Sequence, residues 1–118
     1  MKSAKRFIAQ GDCLFLKVPA LPGGTALDPC ADQLVVAHSE TGHDHVAEST
    51  SARLHHVNGD PLTSYLVFGD TDVVGIDIVH LRPWDTHETV RLLGVPGDVW
   101  QVRRQREWTP EGWRRVED

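Results

Sequence analysis

The stretch SYLVFGDTDVVGIDIVH, residues 64–80, decides the fold class of this chain. Its two ends, SYLVF and VVGIDIVH, are rich in the β-branched and aromatic residues that strands favour. Ile76 and Ile78 fall on one face of an extended chain and Asp77 on the other, which is the alternation of a half-buried strand. The segment between the two ends, GDTD at 69–72, consists of turn-forming residues. The stretch therefore predicts two strands joined by a hairpin loop.

Short strand patterns of the same kind recur along the chain, separated by residues that form turns. The further strand predictions cover residues 13–18, 34–38, 43–47, 53–57, 89–93 and 99–103. The last two of these are predicted to pair around the segment GVPGD at 94–98. Regular short strands divided by turn signals are typical of an all-β fold. We therefore predict a small β-barrel or sandwich that forms a single domain over residues 1–118.

Two segments depart from the strand pattern. Residues 19–32 contain three prolines and a Gly-Gly pair, which predicts a long loop. Near the C-terminus, Thr109 and Pro110 have the residue types of a helix N-cap followed by the first helical position. We therefore predict a short C-terminal helix or tail over residues 109–118.

Composition excludes several classes of function. The chain has 118 residues, and its 12 basic and 17 acidic residues give a net charge of −5, which argues against a general nucleic-acid binder. No stretch approaches the roughly 18 consecutive apolar residues of a membrane helix, and the basic N-terminus lacks the apolar core of a signal peptide. We therefore expect a cytoplasmic protein that does not bind membranes. Cys13 and Cys30 are too far apart for a CxxC pair, and the sequence leaves open whether they form a disulfide.

Histidines are concentrated in one part of the chain, since five of the seven lie between His38 and His56. The segment SETGHDHVAE at 39–48 places His43 and His45 two residues apart, so that in a strand both imidazoles point to the same face. Two neighbouring imidazoles can chelate a divalent ion such as zinc or iron. A solvated strand face that carries two histidines is the alternative interpretation.

A second group of histidines strengthens the metal hypothesis. The segment HLRPWDTHE at 80–88 places His80 and His87 on the two sides of one predicted loop, where strand pairing brings them together. With His43 and His45 they form a candidate four-nitrogen site, or a three-nitrogen site with an open position for water. The other interpretation of His80 is a residue that only ends a strand.

The C-terminal segment contains two tryptophans and several arginines. Trp108 and Trp113 alternate with basic residues in QREWTPEGWRR. Such a segment either packs on the β domain or contacts a partner, because Trp and Arg are common anchors of interfaces. We favour packing, since the protein as a whole is acidic.

Three segments of the chain resemble a group of small, uncharacterised proteins of bacteria and their phages. They are AHSETGHDHVAE, HLRPWDTHETV and QVRRQREWTPEGWRRVED, and the resemblance covers about residues 11–118. It is carried by the TGHxH and RPxDTHE motifs together with the QRE[YW]TPEG C-terminus. The resemblance implies a phage or prophage origin, and it implies no activity.

These observations predict a metal-binding β protein with zinc or iron held by His43, His45, His80 and His87. If it is an enzyme, the simplest chemistry is hydrolysis by metal-activated water with Glu40 or Glu48 as base, and iron would support oxygen chemistry instead. The sequence does not choose between these reactions. The alternative is a non-enzymatic phage accessory or inhibitor protein that binds a host protein partner. A homo-oligomer is also compatible with the sequence.

Overall fold

The structure is a computed structural model that describes residues 1–28, 34–37, 44–82, 85–104, 106–109 and 112–115. Side chains are described for residues 1–28, 34–37, 44–80 and 89–104. The described residues form thirteen strands: β1 Lys2–Ala4, β2 Phe7–Gln10, β3 Cys13–Val18, β4 Thr25–Leu27, β5 Leu34–Ala37, β6 His45–Glu48, β7 Arg53–Val57, β8 Asp60–Val67, β9 Gly75–Arg82, β10 Asp85–Leu93, β11 Val99–Arg104, β12 Arg106–Thr109 and β13 Gly112–Arg115. The all-β prediction is confirmed.

Eleven strands form two sheets that pack face to face. Sheet A has five strands in the order β1-β10-β9-β6-β5, and sheet B has six in the order β2-β3-β11-β8-β7-β4. Neighbouring strands are antiparallel, except that β1 runs parallel to β10. Within the described ranges the sheets do not close on each other, so the arrangement is a sandwich and not a barrel. None of the residues with described structure belongs to a helix that could cross a membrane.

The apolar core lies between the two sheets. Strands of both sheets contribute alternate residues to it, because successive side chains of a strand point to opposite faces. The large apolar side chains that are most completely excluded from solvent are Phe15, Leu66, Trp100 and Val102 from sheet B with Ile76, Ile78, Val90 and Leu92 from sheet A. Burial of this apolar surface is the main driving force for packing the sheets together.

The stretch 64–80 forms two strands, as predicted. The prediction that these strands pair as a hairpin is wrong. Strand β8 pairs with β7 and β11 in sheet B, whereas β9 pairs with β6 and β10 in sheet A. The segment GDTD therefore crosses from one sheet to the other. Asp72 holds the crossing, because its buried carboxylate accepts hydrogen bonds from the Gly69 N–H at 2.8 Å and the Ser49 hydroxyl at 2.8 Å.

The predicted pairing of residues 89–93 with 99–103 is wrong for the same reason. Strand β10 belongs to sheet A and β11 to sheet B, so the segment 94–98 is a second crossing. The two crossings contact each other through backbone hydrogen bonds: Gly94 N–H donates to the Val74 carbonyl at 3.1 Å, and Phe68 N–H donates to the Asp98 carbonyl at 2.9 Å. These hydrogen bonds between the two crossings take the place of the strand-to-strand hydrogen bonds that a hairpin would have formed.

Elsewhere the structure adds strands that the sequence did not predict. β4 interrupts the long loop predicted over residues 19–32, and β1 and β2 form in the N-terminal segment. The prediction of a C-terminal helix is also wrong. In its place β12 and β13 pair as an antiparallel hairpin with Thr109 opposite Gly112. The tryptophans of this segment favour strands, and proline suits the second position of a turn as well as the start of a helix.

Gly69 provides a sharp test of the first crossing. A Cβ atom at this position would lie 2.2 Å from the Ser51 carbonyl oxygen, which is backbone and cannot rotate away. We expect Gly69→Ala to lower the free energy of unfolding by about 1–3 kcal/mol, measured by urea denaturation. Gly23→Ala is the matched control, because a Cβ there has no neighbour within 4 Å. Equal stability of the two variants would contradict the close packing of the crossing.

The second crossing predicts a specific dependence of stability on pH. The hydrogen bond from Lys17, at 2.9 Å, and then the bond from the Val95 N–H lower the pKa of Asp98 below its usual value. Because the unfolded chain binds the proton more readily, this stabilisation is present above the ordinary aspartate pKa of about 3.9 and is lost as the pH falls through the lower pKa of the folded state.

We therefore expect Asp98→Asn to be less stable than the wild type near neutral pH, with the difference narrowing on acidification. Urea unfolding between neutral pH and about pH 2.5 measures it. Asp70→Asn, at an exposed position, is the control. A stability difference between wild type and Asp98→Asn that stays constant over this range contradicts the assignment.

Candidate metal centre

A cluster of polar side chains lies between the sheets at one end of the sandwich. Its members are buried although they carry charge or hydrogen-bonding groups, and they are Gln10, Asp12, Cys13, His45, His80 and Arg104. We call this group the buried polar cluster. Burial of such groups is unfavourable unless they bind one another, so their contacts decide what the cluster can do.

Sheet B supplies four members of the buried polar cluster. β2 and β3 are joined by a two-residue turn in which Gly11 adopts a positive φ of 54°, and Asp12 follows it. Gln10 and Cys13 face each other across this hairpin. Arg104 pairs in register with Cys13 on the next strand, β11. The hairpin turn and the end of β11 thus present their polar residues to the same region of the interior.

Sheet A supplies the two histidines. His45 on β6 is the register partner of His80 on β9, so both side chains lie on the same face. Their rings stack, with centroids 4.2 Å apart and planes at 11°. The next inward pair along these strands is Ala47 and Ile78, which belong to the apolar core. The histidines therefore continue the inward face of sheet A beyond the apolar residues.

Hydrogen bonds fix the orientation of the His45 ring. Its Nδ1 lies 2.8 Å from the Gln10 side-chain oxygen, while the Gln10 amide nitrogen donates to the Ile78 carbonyl at 2.8 Å. The second bond determines which end of the amide faces His45. The His45 Nε2 lies 3.0 Å from a carboxylate oxygen of Asp12. Both ring nitrogens thus face oxygen acceptors, an arrangement that a doubly protonated imidazole satisfies.

Asp12 is the centre of the buried polar cluster. Its Oδ1 accepts from His45, and the Cys13 thiol donates to the same oxygen at 3.8 Å. Its Oδ2 accepts from Arg104 Nη2 at 3.2 Å. One buried carboxylate therefore connects a side chain of sheet A with two side chains of sheet B.

Three members of the cluster could hold a metal ion. The ligand atoms of Asp12, Cys13 and His45 all lie within 4.8 Å of one another, and all three residues are buried. Carboxylate oxygen, thiolate sulfur and imidazole nitrogen are the donors that zinc uses in proteins. Cys13 supplies the sulfur atom of this group.

The structure brings together two of the four histidines predicted as ligands, His45 and His80. His87 lies on β10, in the stretch between Thr86 and Thr89 where the pairing with β9 is irregular. Its side chain is outside the described residues, and so is the whole of His43. The four-histidine site itself stays a prediction.

Of the two predicted catalytic carboxylates, the structure describes Glu48 alone, and Glu48 is not part of the buried polar cluster. Glu48 is exposed, and it lies three residues beyond His45 on β6, so the two side chains point to opposite faces of the strand. Glu40 lies outside the described residues. Cys30, whose pairing with Cys13 the sequence left open, also lies outside them.

Sequence reasoning missed Gln10, Asp12 and Arg104. A signal was present, since Gln10 is in phase with Ile8 on β2 and Arg104 is in phase with Val102 on β11. A polar residue at an inward position of an alternating strand indicates a buried polar contact. Asp12 gave no such signal, because it lies in a turn and alternation applies only to strands. Its contact with His45 also spans 33 residues of sequence.

Comparison with known proteins gives a family and no function. No curated protein and no solved structure matches the chain. A family model described as a domain of unknown function, DUF8820, matches residues 9–105, a range that contains every member of the buried polar cluster. The chain therefore belongs to the DUF8820 family.

Proposed function

We propose that this protein binds one divalent transition-metal ion, zinc or iron, through Asp12, Cys13 and His45. The observation that carries the proposal is the convergence of the three buried donor atoms within 4.8 Å. The ligand set differs from the four histidines predicted from sequence and retains only His45. It includes a thiolate, which favours zinc over the harder oxygen-seeking ions.

The distances between the ligand atoms are compatible with a bound zinc or iron ion. With metal–ligand bonds of about 2.0–2.3 Å, tetrahedral ligand atoms lie about 3.3–3.8 Å apart. The Asp12 Oδ1 lies 3.0 Å from His45 Nε2 and 3.8 Å from Cys13 Sγ. Two of the three separations are therefore close to those of a tetrahedral site, and the third, between Cys13 Sγ and His45 Nε2, is at most 4.8 Å.

Gln10 supports the proposal as a positioning residue. A histidine that ligates a metal usually donates its other ring N–H to a carbonyl or carboxylate, which fixes the ring. The Gln10 side-chain oxygen accepts from Nδ1 of His45, and the Gln10 amide nitrogen donates to the Ile78 carbonyl, which fixes the amide. This leaves Nε2 directed toward Asp12 and Cys13, as metal ligation requires.

The positive charge of Arg104 is compatible with a cation nearby. When an ion is bound, the carboxylate of Asp12 and the thiolate of Cys13 offset its two positive charges, and Arg104 is left with a net charge of +1. The two anionic ligands thus keep the charge of the ion from adding to that of Arg104 in the interior, which limits the penalty for burying it.

The burial of the donors favours a structural role for the ion. Asp12 and Cys13 come from sheet B and His45 from sheet A, so an ion at this position ties the two sheets together. Its binding free energy would then contribute to folding. Hydrolysis at the metal, with Glu40 or Glu48 as base, requires an open position for water and stays a prediction.

Metal analysis of the full chain, purified without a histidine tag, tests the proposal. We expect about one zinc or iron ion per chain, lost in His45→Ala and in Cys13→Ser because each removes a ligand, and retained in the control His55→Ala. We also expect zinc at 100 times its Kd to stabilise the protein by about 2.7 kcal/mol in thermal unfolding. A folded wild type that takes up no metal even when zinc, iron(II) or cobalt(II) is added would overturn the proposal.

Cobalt identifies the donor atoms. In the cobalt-loaded wild type we expect the visible absorption of a tetrahedral site together with a thiolate-to-cobalt charge-transfer band. The charge-transfer band should disappear in Cys13→Ser. A cobalt spectrum without any thiolate band in the wild type would exclude Cys13 as a ligand and thereby the ligand set proposed here.

A separate prediction concerns Gln10, which orients His45 without contacting the ion. We expect Gln10→Leu to bind zinc with about 10–100-fold lower affinity, because the other ring nitrogen loses its acceptor. Competition with a chromophoric chelator measures the affinity, and Gln101→Leu is the control because Gln101 bonds Tyr65 on another part of sheet B. Unchanged affinity in Gln10→Leu would show that the ring is not positioned by this bond.

A second candidate function, binding of a host protein partner, has support from the C-terminal hairpin. The pairing of β12 with β13 places Trp108 directly opposite Trp113, so the two residues predicted as anchors lie side by side on the backbone. Large aromatic residues of this kind are enriched at the centres of interfaces. The phage origin and the identity of a partner stay predictions.

A further inference from the structure

A cavity of about 330 Å³ opens between the two sheets, next to the buried polar cluster. β5 of sheet A lies on one side of it, and β7, β8 and the end of β11 in sheet B lie on the other. Its walls are mainly apolar, and among the described side chains that line it Arg104 is the only arginine or lysine. We propose that this cavity binds a small monocarboxylate with a compact apolar body, a function separate from metal binding.

The recognition element for the carboxylate is Arg104. The residue is 91% buried, since only 9% of its surface is exposed. Its Nη2 donates to Asp12, and within the described part of the chain its Nε has no acceptor. A buried guanidinium nitrogen without an acceptor is unfavourable, and an oxygen acceptor from a bound molecule would relieve this. The Nε–H belongs to the planar fork of N–H groups whose geometry suits the oxygens of a carboxylate.

The apolar walls define the rest of the ligand. Leu54 and Leu62 of sheet B are almost fully buried, as is Val102, and Val36 of sheet A closes the opposite side. Small-molecule sites usually have volumes of about 300–1,000 Å³, so this cavity is at the lower end of that range. It accommodates a single ring or a short branched chain and excludes larger cofactors.

The outer part of the cavity selects against polyanions. Asp28 and Asp60 line it there, and their negative charges oppose the entry of phosphates. Asp28 is paired with His56, and Asp60 accepts a hydrogen bond from the Leu62 N–H at 3.0 Å, so neither carboxylate is directed only at the ligand. A single carboxylate that passes this region reaches Arg104, whereas a dianion meets stronger repulsion.

Titration of the ¹⁵N-labelled full chain with three aromatic probes tests the proposal. We expect benzoate to shift the amide resonances of Leu54, Leu62 and Val102. Benzyl alcohol, which has the same ring and no carboxylate, should bind at least about tenfold more weakly because it lacks the charge-assisted hydrogen bonds. Phenyl phosphate should also bind more weakly than benzoate.

Two variants assign the binding to this cavity. Arg104→Lys keeps the charge and removes the planar fork, and we expect about tenfold weaker benzoate binding, whereas the same change at the exposed neighbour Arg103 should have no effect. If Arg104→Lys does not fold, Leu62→Phe fills the cavity and should abolish the shifts. The proposal is overturned if benzoate shifts none of the cavity amides at millimolar concentration, or if folded Arg104→Lys or Leu62→Phe binds benzoate as tightly as the wild type does.

Discussion

The hydrogen bond between Asp12 and His45 is the constraint on which the arrangement of the two sheets depends. Asp12 lies in the turn of the β2–β3 hairpin of sheet B, and His45 begins β6 of sheet A. Both side chains are fully excluded from solvent, so neither can exchange its partner for water. Removal of one member of a buried ion pair typically destabilises a protein by about 3–5 kcal/mol. The sheets are therefore held in one relative position at this end of the sandwich.

The apolar core cannot provide the same precision. Side chains such as Phe15, Ile78 and Trp100 bury a large apolar surface, but this attraction has little dependence on direction. Asp12, in contrast, accepts from a histidine of the facing sheet and from Arg104 of its own sheet, each at a defined oxygen. We infer that the core drives the sheets together and that the buried polar cluster selects their alignment.

The sequence predicted the strands better than it predicted their pairing. Alternation of side chains located β7 at Arg53–Val57 and the strands on either side of residues 69–72, because alternation is a local property. The hairpin predicted there was wrong because glycine and aspartate serve a sheet crossing as well as a turn. The choice depends on Asp72, whose carboxylate binds Ser49, 23 residues earlier in the sequence. The candidate site shows the same limit: the spacing of the histidines pointed to His45, but the contact of Asp12 with Arg104 spans 92 residues.

The buried polar cluster holds its side chains in place through hydrogen bonds that involve no ion. The Gln10 side-chain oxygen accepts from His45 Nδ1, and the Oδ2 atom of Asp12 accepts from Arg104 Nη2. If a metal ion binds as proposed, it would be held by His45 Nε2, Asp12 and the Cys13 thiolate, so the Nδ1 atom of His45 and the guanidinium of Arg104 would keep their partners. The residues that would position the ligands therefore already do so without the ion, because a buried polar group needs a partner whether or not a ligand is present.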